Sequence, residues 1–208
     1  MLNNLLFPVL CLHCQTVPQK SSHLFCEGCT PYFELRDPSD RFPLKELNIQ
    51  VASALEYIGP VKSLVKKLKT GQLPHLAKTA ASFLAAQFYR LGWEVDCIVP
   101  VCRPWLRALV HGIDHSHAIA DNLGKTLSTP VYPVLRRRGG EYPQGRLNPE
   151  QRVSFSKNSF TLRKGEKIAD KRVLLIDDVI TTGTTLQHAI NTLFEGFPAQ
   201  IYALTLCR

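Results

Sequence analysis

Two clusters of residues in this 208-residue chain have types and spacings suited to chemistry. The first is Asp177-Asp178, followed at once by Val179-Ile180-Thr181-Thr182-Gly183-Thr184-Thr185. An apolar run leads into the acids and an apolar-periodic run follows the threonines, so the motif lies between a strand end and a helix start. A helix N-terminus offers unpaired N–H groups and the positive end of the helix dipole. The threonine hydroxyls add donors, and Gly183 lets the backbone wrap closely around a ligand. Such a turn is a cradle for a dianionic phosphate. Carboxylates do not favour phosphate. Asp177 and Asp178 instead suit a ribose diol, or a hydrated Mg²⁺ beside it. A phosphate cradle next to a diol reader describes a ribose 5-phosphate site. An ordinary strand-to-helix turn needs only one capping threonine. The stretch is not a G-x-x-x-x-G-K-[ST] loop, which disfavours a P-loop nucleotide hydrolase.

The second cluster is Cys11-Leu-His-Cys14 and Cys26-Glu-Gly-Cys29. Two C-x-x-C turns that each aim two thiolates at one point have the spacing of tetrahedral zinc. Four sulfurs close the coordination sphere, so the metal would be structural. The alternatives are a redox C-x-x-C or chance. A redox motif normally opens a helix in a βαβ pattern, and no such pattern follows here. His13 and His23 are spare donors, expected at the surface or behind the ligands.

These clusters need elements to hold them. Residues 30–47 are rich in proline and charge and read as a linker, giving a zinc-binding module over 1–47 and a main domain over 48–208. In the main domain, 51–57 reads as a strand, and Gly59-Pro60 opens a helix whose apolar face is Val61, Leu64, Val65 and Leu68. Lys62, Lys66 and Lys69 share another face with Lys67 beside them, and no carboxylate lies at i±4 to balance them. A second helix starts near Pro74. Residues 97–101 form a buried strand, 116–127 a helix, 130–135 a strand, and 159–162 a short strand. The stretch 136–152 is a long polar loop of the functional or disordered sort. Residues 171–178 are a strand, a helix follows through Leu186 to Phe197, and 200–206 is the last strand. Alternating strands and helices imply an α/β fold: a mostly parallel sheet flanked by helices, with ligands beyond the carboxyl ends of the strands.

Composition sets the outer limits. The chain is 45% apolar, which supports a real core, and it has no 18-residue apolar run to span a membrane. The first ten residues carry no basic n-region and no small-residue cleavage site, so the expected location is cytoplasmic. A net charge of +8 favours anionic partners such as phosphates or nucleic acid.

The strand–Asp–Asp–turn of residues 173–185 looks like the phosphoribosyl pyrophosphate (PRPP) motif of type I phosphoribosyltransferases. With the paired C-x-x-C knuckles, the chain resembles the ComF family of competence-associated proteins. The resemblance also rests on Tyr57-Ile-Gly-Pro-Val-Lys-Ser-Leu-Val-Lys-Lys-Leu-Lys69, Ile98-Val-Pro-Val101, Gln144 with Leu147 and Arg152, and the terminal Leu206-Cys-Arg208. It implies a type I phosphoribosyltransferase-like fold with a small zinc module. It also implies that Asp177 and Asp178 face the ribose hydroxyls or Mg²⁺ in the catalytic position, and that Thr181, Thr182, Gly183, Thr184 and Thr185 hold the 5′-phosphate. Cys102 and Arg103 would lie in the pyrophosphate loop. Residues 136–152, with Arg137, Gln144 and Arg152, would form the loop that closes over the site. The sequence departs from the family at Gly112-Ile-Asp-His115, where Gly-Phe-Asn-Gln is usual, and at Thr70, where Phe is usual. Asp114 and His115 thus replace amides beside the pyrophosphate loop and change its charge and hydrogen bonding.

The resemblance further implies a cytoplasmic role with incoming single-stranded DNA during transformation, alongside competence and DNA-uptake proteins. Lys62, Lys66, Lys67 and Lys69, with Arg136, Arg137 and Arg138, are the candidate phosphate-backbone contacts. The arginine run serves equally well as part of the closing loop. Two other functions stay open: transfer of a phosphoribosyl group to an acceptor, and PRPP sensing without turnover.

Overall fold

The strand that ends in the two aspartates runs inside a four-stranded parallel sheet. The computed structural model describes residues 10–19, 24–44, 47, 49–70, 75–102, 115–137 and 160–208. The elements are β1 (Gln50–Leu55), α1 (Gly59–Thr70), α2 (His75–Leu91), β2 (Cys97–Pro100), α3 (His115–Leu127), β3 (Leu135–Arg137), β4 (Phe160–Leu162), β5 (Arg172–Val179), α4 (Thr184–Phe194) and β6 (Gln200–Cys207). The sheet order is β1-β6-β5-β2, and β3 and β4 form a separate antiparallel pair. In register, Asp177 pairs with Thr205 on β6, and Pro100 at the end of β2 pairs with Ile176.

The central strands are apolar nearly throughout because both faces are covered. On β5, Leu174 and Ile176 pack into one core with α1, α2 and α3, while Val173 and Leu175 pack into a second core with α4, β3 and β4. β6 alternates in the same way, Leu204 and Leu206 against Ile201 and Ala203. The layered parallel fold read from the sequence is therefore the one observed. Among the described residues, no helix is long and apolar enough to cross a membrane.

Two stretches differ: Arg136 and Arg137, expected to begin the loop over 136–152, pair with β4 as part of β3, and residues 130–135 depart from the expected strand. Residues 130–135 do not form a strand along β2. Their pairing is a single parallel bridge between Ile98 and Val131, with Ile98 N donating to Pro130 O at 2.9 Å and Tyr132 N donating to Ile98 O at 2.8 Å. Pro130 and Pro133 have no N–H to extend a ladder. Val134 N turns back to Tyr132 O, and the chain leaves the sheet to begin β3.

The cysteine knuckles sit on the α1–α2 side. Cys11, Phe25, Cys26 and Cys29 belong to the same buried core as those helices. Phe33, at the end of the 3-10 turn Thr30–Phe33, bridges the Phe25 ring at 4.6 Å and the Phe83 ring of α2 at 5.3 Å. The connecting segment runs beside β1, with Arg36 N donating to Ala54 O and Phe42 N to Val51 O. Arg36 pairs with Asp40 and Glu56, and Asp40 also receives the Arg208 guanidinium at 2.5 Å.

Candidate functional site

β5 delivers Asp177 and Asp178 to the carboxyl edge of the sheet, where both are almost fully buried. The chain then turns through Ile180 and the threonines into α4. Gly183 caps that helix at φ +79°, in the left-handed region glycine favours, and contributes no side chain to the cap. A Cβ there would stand 2.7 Å from Leu44 Cδ2 and 2.9 Å from Phe42 Cε1, so only glycine fits. The first bond into the helix runs from Gln187 N to Gly183 O, leaving the preceding amides without an intrahelical acceptor. Thr181, Thr182 and Thr184 are exposed beside them, and the Thr182 and Thr184 hydroxyls are 3.0 Å apart. Asp177 and residues 179–186 line a cavity of about 30 Å³. The structure thus brings together Asp177, Thr181, Thr182, Gly183, Thr184 and Thr185.

Asp178 is differently placed. Its Oδ2 accepts from His115 Nε2 at 2.6 Å and lies 3.2 Å from Lys69 Nζ. Burial alone would push this carboxyl up, but the His115 bond and charge, with Lys69, hold it below the usual carboxylate range. Asp177 goes the other way. Burial and the neighbouring Asp178 charge raise it, against the Asp178 N–H that donates to its Oδ1 at 2.9 Å and the charges of Lys69 and Arg137. Two adjacent acids are driven apart in proton affinity by what each one touches.

Lys69 and His115 were not foreseen as members of this site. Lys69 shares the i, i+4, i+7 pattern of Lys62 and Lys66, and spacing alone gives it no other partner. His115 opens α3, 63 residues from Asp178. Its departure from the usual glutamine is the signal that singled it out, and that position contacts the second acid directly. His115 Nδ1 is buried with no hydrogen-bond partner among the described residues.

Magnesium is normally held by one or two carboxylates plus phosphate oxygens in a near-octahedral shell. Each carboxylate oxygen offers about two acceptor positions. Asp177 and Asp178 are the carboxylates that could hold such an ion, and Asp178 Oδ2 already serves two nitrogen groups.

The other sequence candidates are spread out. Cys102 is half-buried just beyond β2 and packs against the second core. Arg136 and Arg137 lie on β3. The Arg137 guanidinium stands 5.5 Å from the Phe160 ring centre, and its charge acts on Asp177 and on His188 of α4. Lys62 and Lys66 are exposed on α1 with Lys67 half-buried, and Lys62 lies 5.5 Å from the Tyr57 ring centre. Arg103, Arg138, Gln144 and Arg152 lie outside the described residues.

The sulfurs of Cys11, Cys14, Cys26 and Cys29 all lie within 4.8 Å of one another. Cys14 Sγ is 3.4 Å from Cys26 Sγ and 3.7 Å from Cys29 Sγ. A tetrahedron with Zn–S bonds of about 2.3 Å puts its sulfurs about 3.8 Å apart, so the set fits a tetrahedral metal ion. Burial works against the Cys11 thiolate, but the backbone N–H groups of Cys14, Cys26 and His13 bring it down to about 6. Thr16 and Cys14 lower Cys26, whereas burial and the other sulfurs raise Cys29. His13 is not aimed at the sulfurs through Nδ1, which bonds Ser63 Oγ on α1 at 2.9 Å.

The chain is similar in sequence to known proteins. Residues 74–208 match the family model for the phosphoribosyl transferase domain. "Competence protein F" of Haemophilus influenzae is 28% identical over 140 residues, covering 64% of this chain and 61% of that protein. An adenine phosphoribosyltransferase of Nocardia farcinica is 33% identical over 97 residues, 46% of this chain and 49% of the enzyme. The chain thus spans between about half and three fifths of the length of these relatives. An orotate phosphoribosyltransferase structure from Francisella tularensis aligns at TM-score 0.39 and 16% identity, over 85% of this chain and 68% of that one.

Proposed function

We propose that this chain, which belongs to the phosphoribosyl transferase domain family, binds PRPP or a related ribose phosphate and acts in natural transformation. The observation that carries the first part is the turn itself. Amides at the start of α4 without an intrahelical acceptor, of which Thr184 N donates to Thr182 Oγ1 at 3.5 Å, and three exposed threonines stand next to a buried carboxyl on the same strand end. The phosphate would take the amides and hydroxyls, and the ribose hydroxyls would donate to Asp177. In this reading the protein's contribution is positioning and electrostatic complementarity. The four cysteines would hold a structural zinc, because an all-sulfur tetrahedral set suits that ion.

The second part is the handling of incoming single-stranded DNA, alongside DNA-uptake proteins. It is supported by the exposed Lys62 and Lys66 with Lys67 on α1, and by similarity to a protein named for competence. One calorimetric series tests both parts. PRPP should bind wild type, and Asp177→Asn should weaken it by about tenfold or more. A single-stranded oligonucleotide should bind wild type more weakly as salt rises, and Lys62→Ala/Lys66→Ala/Lys67→Ala should flatten that slope. Equal PRPP affinity in wild type and Asp177→Asn would remove the ribose assignment. A salt-insensitive oligonucleotide signal would remove the DNA role.

A further inference from the structure

We propose that the open cleft between the cysteine knuckles and the start of α1 holds a base of single-stranded DNA, with the strand's phosphates running along the exposed face of α1. The inference rests on the DNA-handling reading and specifies where on the molecule the strand lies.

The cleft has a volume of about 710 Å³, within the range of sites that take a small molecule. Knuckle residues line one side, and Gly59 and Pro60, the first residues of α1, line the other. Val17 and Tyr32 also line it, and they are 61% and 49% exposed. Ile58, the residue before the helix, is exposed as well. Large apolar side chains are thus left open to water at one place, which is the mark of a binding surface. The Tyr32 ring lies over the Gly59 backbone, where a Cβ would meet its Cδ1 at 3.5 Å. An aromatic ring backed by main chain and half open to solvent is a platform for a flat partner, and every base has such a face. Glu27 and Thr16 supply polar atoms along the cleft, and a carboxylate suits the exocyclic amine of a base.

The same cleft opens onto a row of positive charge. His13, which lines it, bonds Ser63 Oγ on α1 at 2.9 Å. Ser63, Lys66 and Lys67 stand at i, i+3 and i+4, so they share one face of the helix, with Lys62 beside them. Val61, Leu64, Val65 and Leu68 occupy the opposite, buried face. No carboxylate lies at i±4 from Lys62, Lys66 or Lys67. An aromatic cleft that continues into unbalanced lysines matches a partner with stacking faces on one side and a phosphate chain on the other.

The test uses the full, zinc-loaded chain and two strands of equal length, oligo(dT) and a strand of abasic sites with the same phosphates, read by fluorescence anisotropy. Wild type should bind oligo(dT) about tenfold more tightly than the abasic strand. Tyr32→Leu should lose most of that difference while keeping wild-type affinity for the abasic strand, and Tyr32→Phe should retain it. Lys66→Ala/Lys67→Ala should weaken both strands alike and flatten the salt dependence. Zinc content and PRPP affinity, which these variants should leave unchanged, report that the fold is kept. Should Tyr32→Leu fail those controls, photo-crosslinking of wild type to a 5-iodouracil strand decides instead, with the adduct expected on Tyr32 or its neighbours in the cleft. Equal wild-type affinity for the two strands would overturn the inference and leave the DNA reading standing. So would a well-folded Tyr32→Leu variant that still discriminates between them, or adducts confined to other segments. Absence of binding to either strand would remove the reading and the inference together.

Discussion

The molecule carries two anionic clusters, and they manage their charge in opposite ways. At the knuckles, four sulfurs crowd within 4.8 Å, and the effects that lower Cys11 and Cys26 are hydrogen bonds from backbone and neighbouring side chains. Cys29 is raised by burial and by the same sulfurs. The cluster competes with itself for protons, and an imported dication would end that competition. At the carboxyl edge of the sheet, Asp178 has two nitrogen groups of the chain's own on one oxygen, the Lys69 ammonium and the His115 ring. One cluster has the sulfur geometry to take up a metal ion. The other already has nitrogen groups of the chain itself on one carboxylate oxygen.

The knuckles are also the more local of the two. Both cysteine pairs close within a few residues, through turns such as Cys29 N to Cys26 O at 2.9 Å. The carboxylate cluster needs β5, α1 and α3 to arrive together. Losing one ligand pair should therefore unfold a module, while losing one group at the carboxylates should retune a site.

The largest expected effect follows from that contrast. Cys11→Ser with Cys14→Ser should abolish stoichiometric zinc in elemental analysis. The knuckles share a core with α1 and α2, so the loss should extend into the main domain and lower Tm by roughly 10 °C or more, since each kcal/mol is about 2–4 °C at this chain length. An unchanged melt with no bound zinc would mean the cluster is inert packing, and the comparison would collapse.

A smaller effect, opposite in sign, is expected at the carboxylates. Asp177 is raised above the usual carboxylate range by burial and by Asp178. Below about pH 4 it is protonated in folded and unfolded chains alike, and it costs nothing. As pH rises, the unfolded chain releases the proton first, so the wild type loses stability relative to a neutral amide. Asp177→Asn should therefore be more stable than wild type at pH 7, by on the order of 1–3 kcal/mol in urea unfolding, with the gap closing toward pH 4. The same variant should bind PRPP worse, as expected when a functional group is held at a cost to stability. A gap that does not change with pH, or a destabilised variant, would show that Asp177 is not the strained member of the pair.

How much could be read from the sequence differs between the two regions for the same reason. The C-x-x-C pairs and the Asp177–Thr185 motif are contiguous, so spacing and local chemistry suffice to mark them. The strands of the central sheet are legible because burial on both faces makes each an uninterrupted apolar run. Residues 130–135 look similar, but Pro130 and Pro133 remove the donors that a strand needs, and the chain follows β2 for one bridge only. Lys69 and His115 could not be assigned to Asp178 in advance, because their contact exists only once three separate elements have packed. Periodicity places Lys69 on a helix face, yet only the fold shows that this face ends at the acids.

The most direct test of the central claim is the amide spectrum of the isotope-labelled full chain as ribose 5-phosphate is added. The account predicts saturable shifts led by the N–H groups of Thr182, Gly183, Thr184 and Thr185, the amides at the start of α4. If those resonances stay fixed while the ligand demonstrably binds elsewhere, the turn is not a phosphate cradle and the functional reading fails with it.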